Sequence, residues 1–86
     1  MIKEWSDEAW EELLEQVKKD KNFFKRLEKI LKDIERHGYK GIGKPEPLKY
    51  DLAGYWSRRI DDYNRIVYKI ENGRIKIAQC GLHYND

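Results

Sequence analysis

The chain has 86 residues, 40% charged and 40% hydrophobic, with three Trp, six Tyr, two Phe and a formal net charge of +2. A domain of this size buries only about 60% of its unfolded surface, but the hydrophobic and aromatic content is enough for a compact core and argues against intrinsic disorder. No apolar run reaches the ~18 residues of a membrane span, and one cysteine with two histidines excludes an internal disulfide and offers no zinc pattern. The opening "MIKEWSDEAW" has no apolar signal region, so a single cytoplasmic domain over residues 1–86 is expected, without metal, cofactor or membrane partner.

Charge is uneven along the chain. Residues 1–37 carry nine Lys/Arg against ten Asp/Glu (−1), and residues 38–86 carry nine against six (+3). Such runs usually mark solvated surface, and a basic surface for a phosphate backbone is the sharper alternative.

Met1 to Trp5 fits a short edge strand. Ser6 is a helix N-cap, with Asp7 and Glu8 at the positive end of the helix dipole. Trp5 and Trp10 occupy the positions of a hydrophobic staple. Ala9, Trp10, Leu13, Leu14 and Val17 predict a helix over about residues 7–18. Asp20 is placed to cap a second helix. Phe23, Phe24, Leu27, Ile30, Leu31 and Ile34 form the core stripe of that helix, and Gly38 terminates it. His37, just before Gly38, suits the negative end of the dipole.

"GYKGIGKPEP" reads as a loop. Strand-like runs follow at Leu48–Leu52, Tyr55–Asp61, Arg65–Ile70 and Arg74–Leu82. Asn72-Gly73 is a strong hairpin signal. The order β-α-α-β-β-β-β predicts an α+β domain: an N-terminal short strand and a two-helix hairpin packed on one face of a mainly antiparallel twisted sheet.

A two-residue turn at Asn72-Gly73 pairs Ile70 with Ile75, Tyr68 with Ile77 and Ile66 with Gln79 on the helix-packed face. Lys69 with Lys76, Val67 with Ala78, and Arg65 with Cys80 then lie on the other face, which is open and basic. A bulged Asp62-Tyr63-Asn64 turn puts Ile60 with Ile66 on the buried face. It also puts Arg59 beside Val67, near Arg65, on the open face. The alternative turn buries Arg59 among apolar residues, which is costly.

Glu46 lies between Pro45 and Pro47, which restrict the backbone around one carboxylate. Lys44 and Lys49 flank it and suit phosphate contacts. Glu46, Arg59, Arg65 and His83 come from different parts of one small sheet. RNA cleavage by its own 2′-hydroxyl needs a base, cations for the charged transition state and an acid for the leaving 5′-oxygen. A carboxylate, arginines and a histidine with an ordinary pKa of about 6.5 can supply these without metal.

The stretch "KPEPLKYDLAGYWSRRIDDYNRIVY", a following hairpin and the terminal "HY" resemble the YoeB/Txe branch of the RelE-like toxins of bacterial toxin–antitoxin systems. The likeness runs essentially end to end. It implies a microbial-RNase-like fold and a ribosome-dependent mRNA endonuclease acting in the ribosomal A site. It also implies inhibition by a cognate antitoxin of the YefM/Axe kind, DNA contact only indirectly through that antitoxin, and homodimers. The family's general base falls on Glu46, its phosphate-stabilising arginine on Arg65 and its general acid on His83. Arg59 and Lys49 match accompanying basic positions, and Tyr84 the terminal tyrosine of the active site.

The chain departs from the family pattern at Gly81-Leu82, where members often carry a basic and an aromatic residue, and at Asn85-Asp86, which extend past the usual end. Those departures feed a second reading, a non-catalytic RNA- or ribosome-binding module. A third is an antitoxin-bound transcriptional co-repressor. Strict alternation along the last strand sends His83 to the helix-packed face. The expectation is therefore that regular structure is interrupted near Gly81, and that His83 turns to the open face beside Arg65 and Glu46.

Overall fold

The computed structural model describes residues 1–81. Two helices pack on one face of a five-stranded mixed sheet. The elements in chain order are β1 (Ile2–Trp5), α1 (Asp7–Lys19), α2 (Phe23–His37), β2 (Glu46–Pro47), a short 3-10 turn (Tyr50–Leu52), β3 (Trp56–Arg59), β4 (Arg65–Glu71) and β5 (Arg74–Gln79). The strand order is β1-β5-β4-β3-β2; β1 runs parallel to β5 and every other pairing is antiparallel.

The N-terminal signals act as expected. Ser6 is extended at the N-cap and its Oγ accepts from Ala9 N–H at 3.0 Å. Trp5 and Trp10 meet edge to face, 6.1 Å between centroids, so the staple fixes the entry angle of α1. Asp20 departs from its expected role. It ends α1, donating its N–H to Gln16 O, while Asn22 occupies the N-cap of α2. Asp20 Oδ1 accepts from Asn22 N–H at 2.9 Å, so its carboxylate holds the interhelical turn instead.

The core joins Leu13, Phe23, Leu27, Ile30, Leu31 and Ile34 of the helices to Ile60, Ile66, Tyr68, Ile75, Ile77 and Cys80 of the sheet. The expected stripes are too wide. Trp10 and Phe24 are 47% and 49% exposed, and Leu14 and Val17 are exposed with them. They border the core at the outer edge of the helical pair, where no further layer covers them.

The strand expected at Leu48–Leu52 is absent. Pairing is confined to Glu46 with Ser57 and Pro47 with Trp56, after which Tyr50 takes φ 57° and the chain closes a 3-10 turn. Pro47 has no N–H to give a ladder, which suits an edge strand only. The Asn72-Gly73 turn has positive φ at both residues (53° and 73°), as a tight primed hairpin turn requires.

Ile70↔Ile75, Lys69↔Lys76 and Tyr68↔Ile77 pair as expected. Beyond them the register slips. Val67 pairs with Gln79, leaving Ala78 as a bulge. The expected pairs Val67–Ala78, Ile66–Gln79 and Arg65–Cys80 do not form, and Cys80 is buried against the helices. The N-cap residue borders this bulge. Ser6 N–H donates to Ile77 O, continuing the β1–β5 pairing, and Ser6 Oγ donates to the bulged Ala78 O, both at 2.9 Å, so the Ala78 carbonyl has a side-chain partner.

Candidate active site

β3 and β4 carry the candidate arginines. Arg59 lies directly opposite Arg65 and Ser57 opposite Val67, so Arg59 sits two residues along β3 from the place beside Val67 that was expected, still on the same face. The β3–β4 register runs on without a shift, unlike the one expected from a bulged Asp62-Tyr63-Asn64 turn, and the turn closes at Asn64. Ile60 N–H and Asp61 N–H both donate to Asn64 O, and the Asp61 carboxylate accepts from Tyr63 N–H, Asn64 N–H and Asn64 Nδ2. Burial acts to raise the Asp61 pKa, but these donors outweigh it and hold the carboxyl below its usual range. Ile60 and Ile66 share the buried face, and Arg59 and Arg65 leave the sheet on the face away from the helices.

Glu46 reaches this face from β2 through its pairing with Ser57. Arg65 Nη1 donates to Glu46 Oε1 at 3.3 Å. A carboxylate and a guanidinium from strands two apart thus converge on one patch. Arg65 is one-quarter exposed and Glu46 half exposed. The patch floor is not open as expected: Ser57 and Val67 are fully buried. Lys44, Lys49 and Arg59 are exposed and make no ion pair among the described residues. Further along the same face Lys76 meets Glu71 at 2.7 Å, Lys69 meets Glu71 at 3.5 Å and Arg74 meets Glu4 at 3.0 Å. The basic charge expected of the whole face is therefore balanced at the hairpin end and concentrated at the Arg59–Arg65 end. His83 and Tyr84 lie outside the described residues, and the interruption expected near Gly81 is met earlier, at the Ala78 bulge.

Sequence reasoning missed Arg58. Alternation in β3 puts it on the helix-packed face, where it is fully buried. All five of its N–H groups are used. Nε donates to Tyr68 OH, Nη1 to Asp33 Oδ2 and Ile42 O, and Nη2 to Gly38 O and Lys40 O, all within 3.1 Å. One guanidinium therefore gathers the loop over residues 38–42, which leads to Lys44, Pro45 and Glu46. The hydrogen bond from Arg58 holds the Asp33 carboxyl below its usual pKa range. Gly41 is obligatory here: with φ 125°, a Cβ would come within 1.9 Å of Asp33 Oδ2. The available signal was the doublet Arg58-Arg59, since a strand must turn one of two neighbours to each face.

Among the described residues no group of His, Cys, Asp and Glu is arranged to hold a metal ion, and no helix is long and apolar enough to cross a membrane.

Comparison with known proteins gives a consistent picture. A family model described as YoeB-like toxin of bacterial type II toxin–antitoxin system matches residues 5–84. The toxin YoeB of Escherichia coli O6:H1 is 44% identical over 80 residues, 93% of this chain and 95% of that protein. A solved YoeB/ParE toxin from Agrobacterium tumefaciens superposes with TM-score 0.91 at 35% identity, covering 98% of this chain and 100% of the other. YoeB of Staphylococcus aureus, solved in a heterotetrameric complex with YefM and as a dimer, gives TM-scores of 0.88 and 0.89 at 42% identity, each covering 98% of both chains.

Proposed function

The chain belongs to the YoeB-like toxins of bacterial type II toxin–antitoxin systems, and from that membership we propose that it is a ribosome-dependent mRNA endonuclease. The reaction is attack of a 2′-hydroxyl oxygen on the adjacent phosphorus with expulsion of the 5′-oxygen, leaving a 2′,3′-cyclic phosphate. Glu46 takes the 2′-hydroxyl proton. Arg65 donates to the phosphoryl oxygens as negative charge builds in the transition state. His83 gives a proton to the departing 5′-oxygen. Tyr84 stands beside it in sequence at the active-site end, and Lys44, Lys49 and Arg59 hold flanking phosphates.

The observation that carries this reading is the 3.3 Å contact between Arg65 and Glu46. It supports the reading because a guanidinium and a carboxylate this close can both reach one phosphodiester. A phosphate arriving at Arg65 competes with Glu46 for the guanidinium, so binding itself turns the carboxylate toward the 2′-hydroxyl. A cognate antitoxin like YefM is the expected inhibitor, the ribosome and its mRNA the expected partners in the cytoplasm, and a homodimer the expected assembly.

In vitro translation with primer extension tests the proposal. The parent should cut mRNA on the ribosome. Glu46→Ala, Arg65→Ala and His83→Ala should each lower the rate by about 10²–10⁴-fold while remaining folded. Ribosome binding by the parent without cleavage would instead identify a binding module or co-repressor.

A further inference from the structure

We infer that Glu12 is a positioning residue that fixes where the chain leaves β5 toward His83 and Tyr84, and that position 81 is glycine to make room for its carboxylate. The inference rests on the proposed endonuclease reading.

Glu12 lies on α1 and is half-buried. Its Oε1 accepts the Cys80 N–H at 2.9 Å, the first backbone donor after β5 ends at Gln79. One residue later, Gly81 O accepts from Arg65 N–H at 2.9 Å. The peptide units on either side of the Cys80–Gly81 link are thus held, one by a helix carboxylate and the other by the backbone of Arg65. The bulge just upstream is held from the same helix end, by Ser6.

Gly81 is not explained by conformation. It is absent from the glycines with positive φ, so an L side chain meets no backbone strain there. It is explained by space. A Cβ at this position would lie 2.7 Å from Glu12 Oε2 and 2.9 Å from its Cδ. A side chain at position 81 requires the Glu12 carboxylate, which holds Cys80 N–H through Oε1, to shift. Glu12 and Gly81 therefore form one unit, two residues ahead of His83 in the chain. A misplacement of about 1 Å in a reacting group can cost 10²-fold in rate, so the exit geometry bears on the acid step.

Purified Glu12→Ala, Gly81→Ala, the double variant and Glu12→Gln are compared with the parent by the ribosome cleavage assay. The Cys80 amide exchange rate and the His83 ring NMR signal are recorded for each. Expected are a kcat lowered by about tenfold to a hundredfold in both single variants, with KM for ribosomes little changed. The double variant should be no worse than either single one. Glu12→Gln keeps a carbonyl acceptor and should retain most of the rate. Cys80 amide exchange should accelerate and the His83 signal should shift in the two Ala variants. Additive losses, or an unchanged His83 signal and rate in folded Glu12→Ala, would overturn the inference. An inactive parent would count against the endonuclease reading, and the Cys80 and His83 signals would still decide the positioning role.

Discussion

Arg59 and Arg65 stand directly opposite each other across the β3–β4 ladder, on the face away from the helices. Like charges in that relation weaken strand pairing. Glu46 answers Arg65, whereas Arg59 makes no ion pair among the described residues. Folding alone gives no reason to keep Arg59. Arg59→Ala should therefore leave stability unchanged or raise it, by up to about 1 kcal/mol. It should also weaken ribosome binding or cleavage and flatten the salt dependence. Urea unfolding beside a cleavage assay at two salt concentrations checks this. A clearly destabilised Arg59→Ala protein would refute it.

Arg58 should behave in the opposite way. It is fully buried and its five donors are all engaged. Arg58→Met removes the cation beside Asp33 and the donors to Ile42 O and Lys40 O, with Gly38 O keeping only Tyr68 OH, and removing one member of a buried pair costs about 3–5 kcal/mol. Lysine does not rescue it, because three donors on one nitrogen cannot serve a planar five-donor set. Denaturant unfolding of Arg58→Met and Arg58→Lys is the measurement. An Arg58→Lys protein within about 1 kcal/mol of the parent would mean that the loop does not depend on the fork.

That contrast also marks what the sequence can carry. Local signals were legible where local physics decides: the Ser6 cap, the Trp5–Trp10 staple, the Asn72-Gly73 turn and the shared face of Arg59 and Arg65. What failed depended on contacts between distant parts of the chain. The Ala78 bulge is met by Ser6, 72 residues away, whose hydroxyl donates to the Ala78 carbonyl. Alternation counted within β5 alone could not find it. The cost that keeps Arg59 out of the core applies equally to its neighbour. Arg58 becomes tolerable only because the 38–42 loop and Asp33 return to meet it. The edge β2 stays two residues long because the chain turns into the 3-10 segment at Tyr50, whose φ is 57°. The Glu46–Arg65 half of the candidate site followed from face and register, whereas Glu12 at Gly81 had no sequence signature.

Acid should destabilise the fold over a defined window. Asp33 has a pKa lowered from 3.8, chiefly by the Arg58 hydrogen bond. Asp20 is lowered by the Asn22 backbone N–H and then by Arg26. Asp61 is lowered by its turn donors despite burial. Each folded-state value lies below the unfolded one, so the native state binds fewer protons. The resulting stability is present above about pH 4 and is lost as pH falls through the folded-state values. Thermal unfolding between about pH 6 and about pH 2.5, which bracket the ordinary carboxyl pKa of about 4, should show Tm falling only in the acid part. Asp61→Asn should lower Tm near neutrality and reduce its further fall in acid. A flat Tm down to pH 2.5 would contradict the assignment.

Cys80 should be chemically silent while the protein is folded. Burial pushes its pKa from 9.0 to about 12, and the nearby Glu12 charge acts in the same direction. The thiolate is the reactive form, and at pH 8 a group titrating near 12 is ionised to the extent of only about 10⁻⁴. Iodoacetamide should label the native protein far more slowly than the urea-unfolded chain, at a rate that follows opening of the β5 end. The linkage has a definite sign. The native state holds this proton more tightly than the unfolded chain, so its contribution to stability declines as pH rises above about 9. Glu12→Ala removes the acceptor of the Cys80 N–H and should accelerate native labelling, because the segment then opens more often. Equal labelling of native and unfolded protein at pH 8 would show that the β5 end does not shield the thiol.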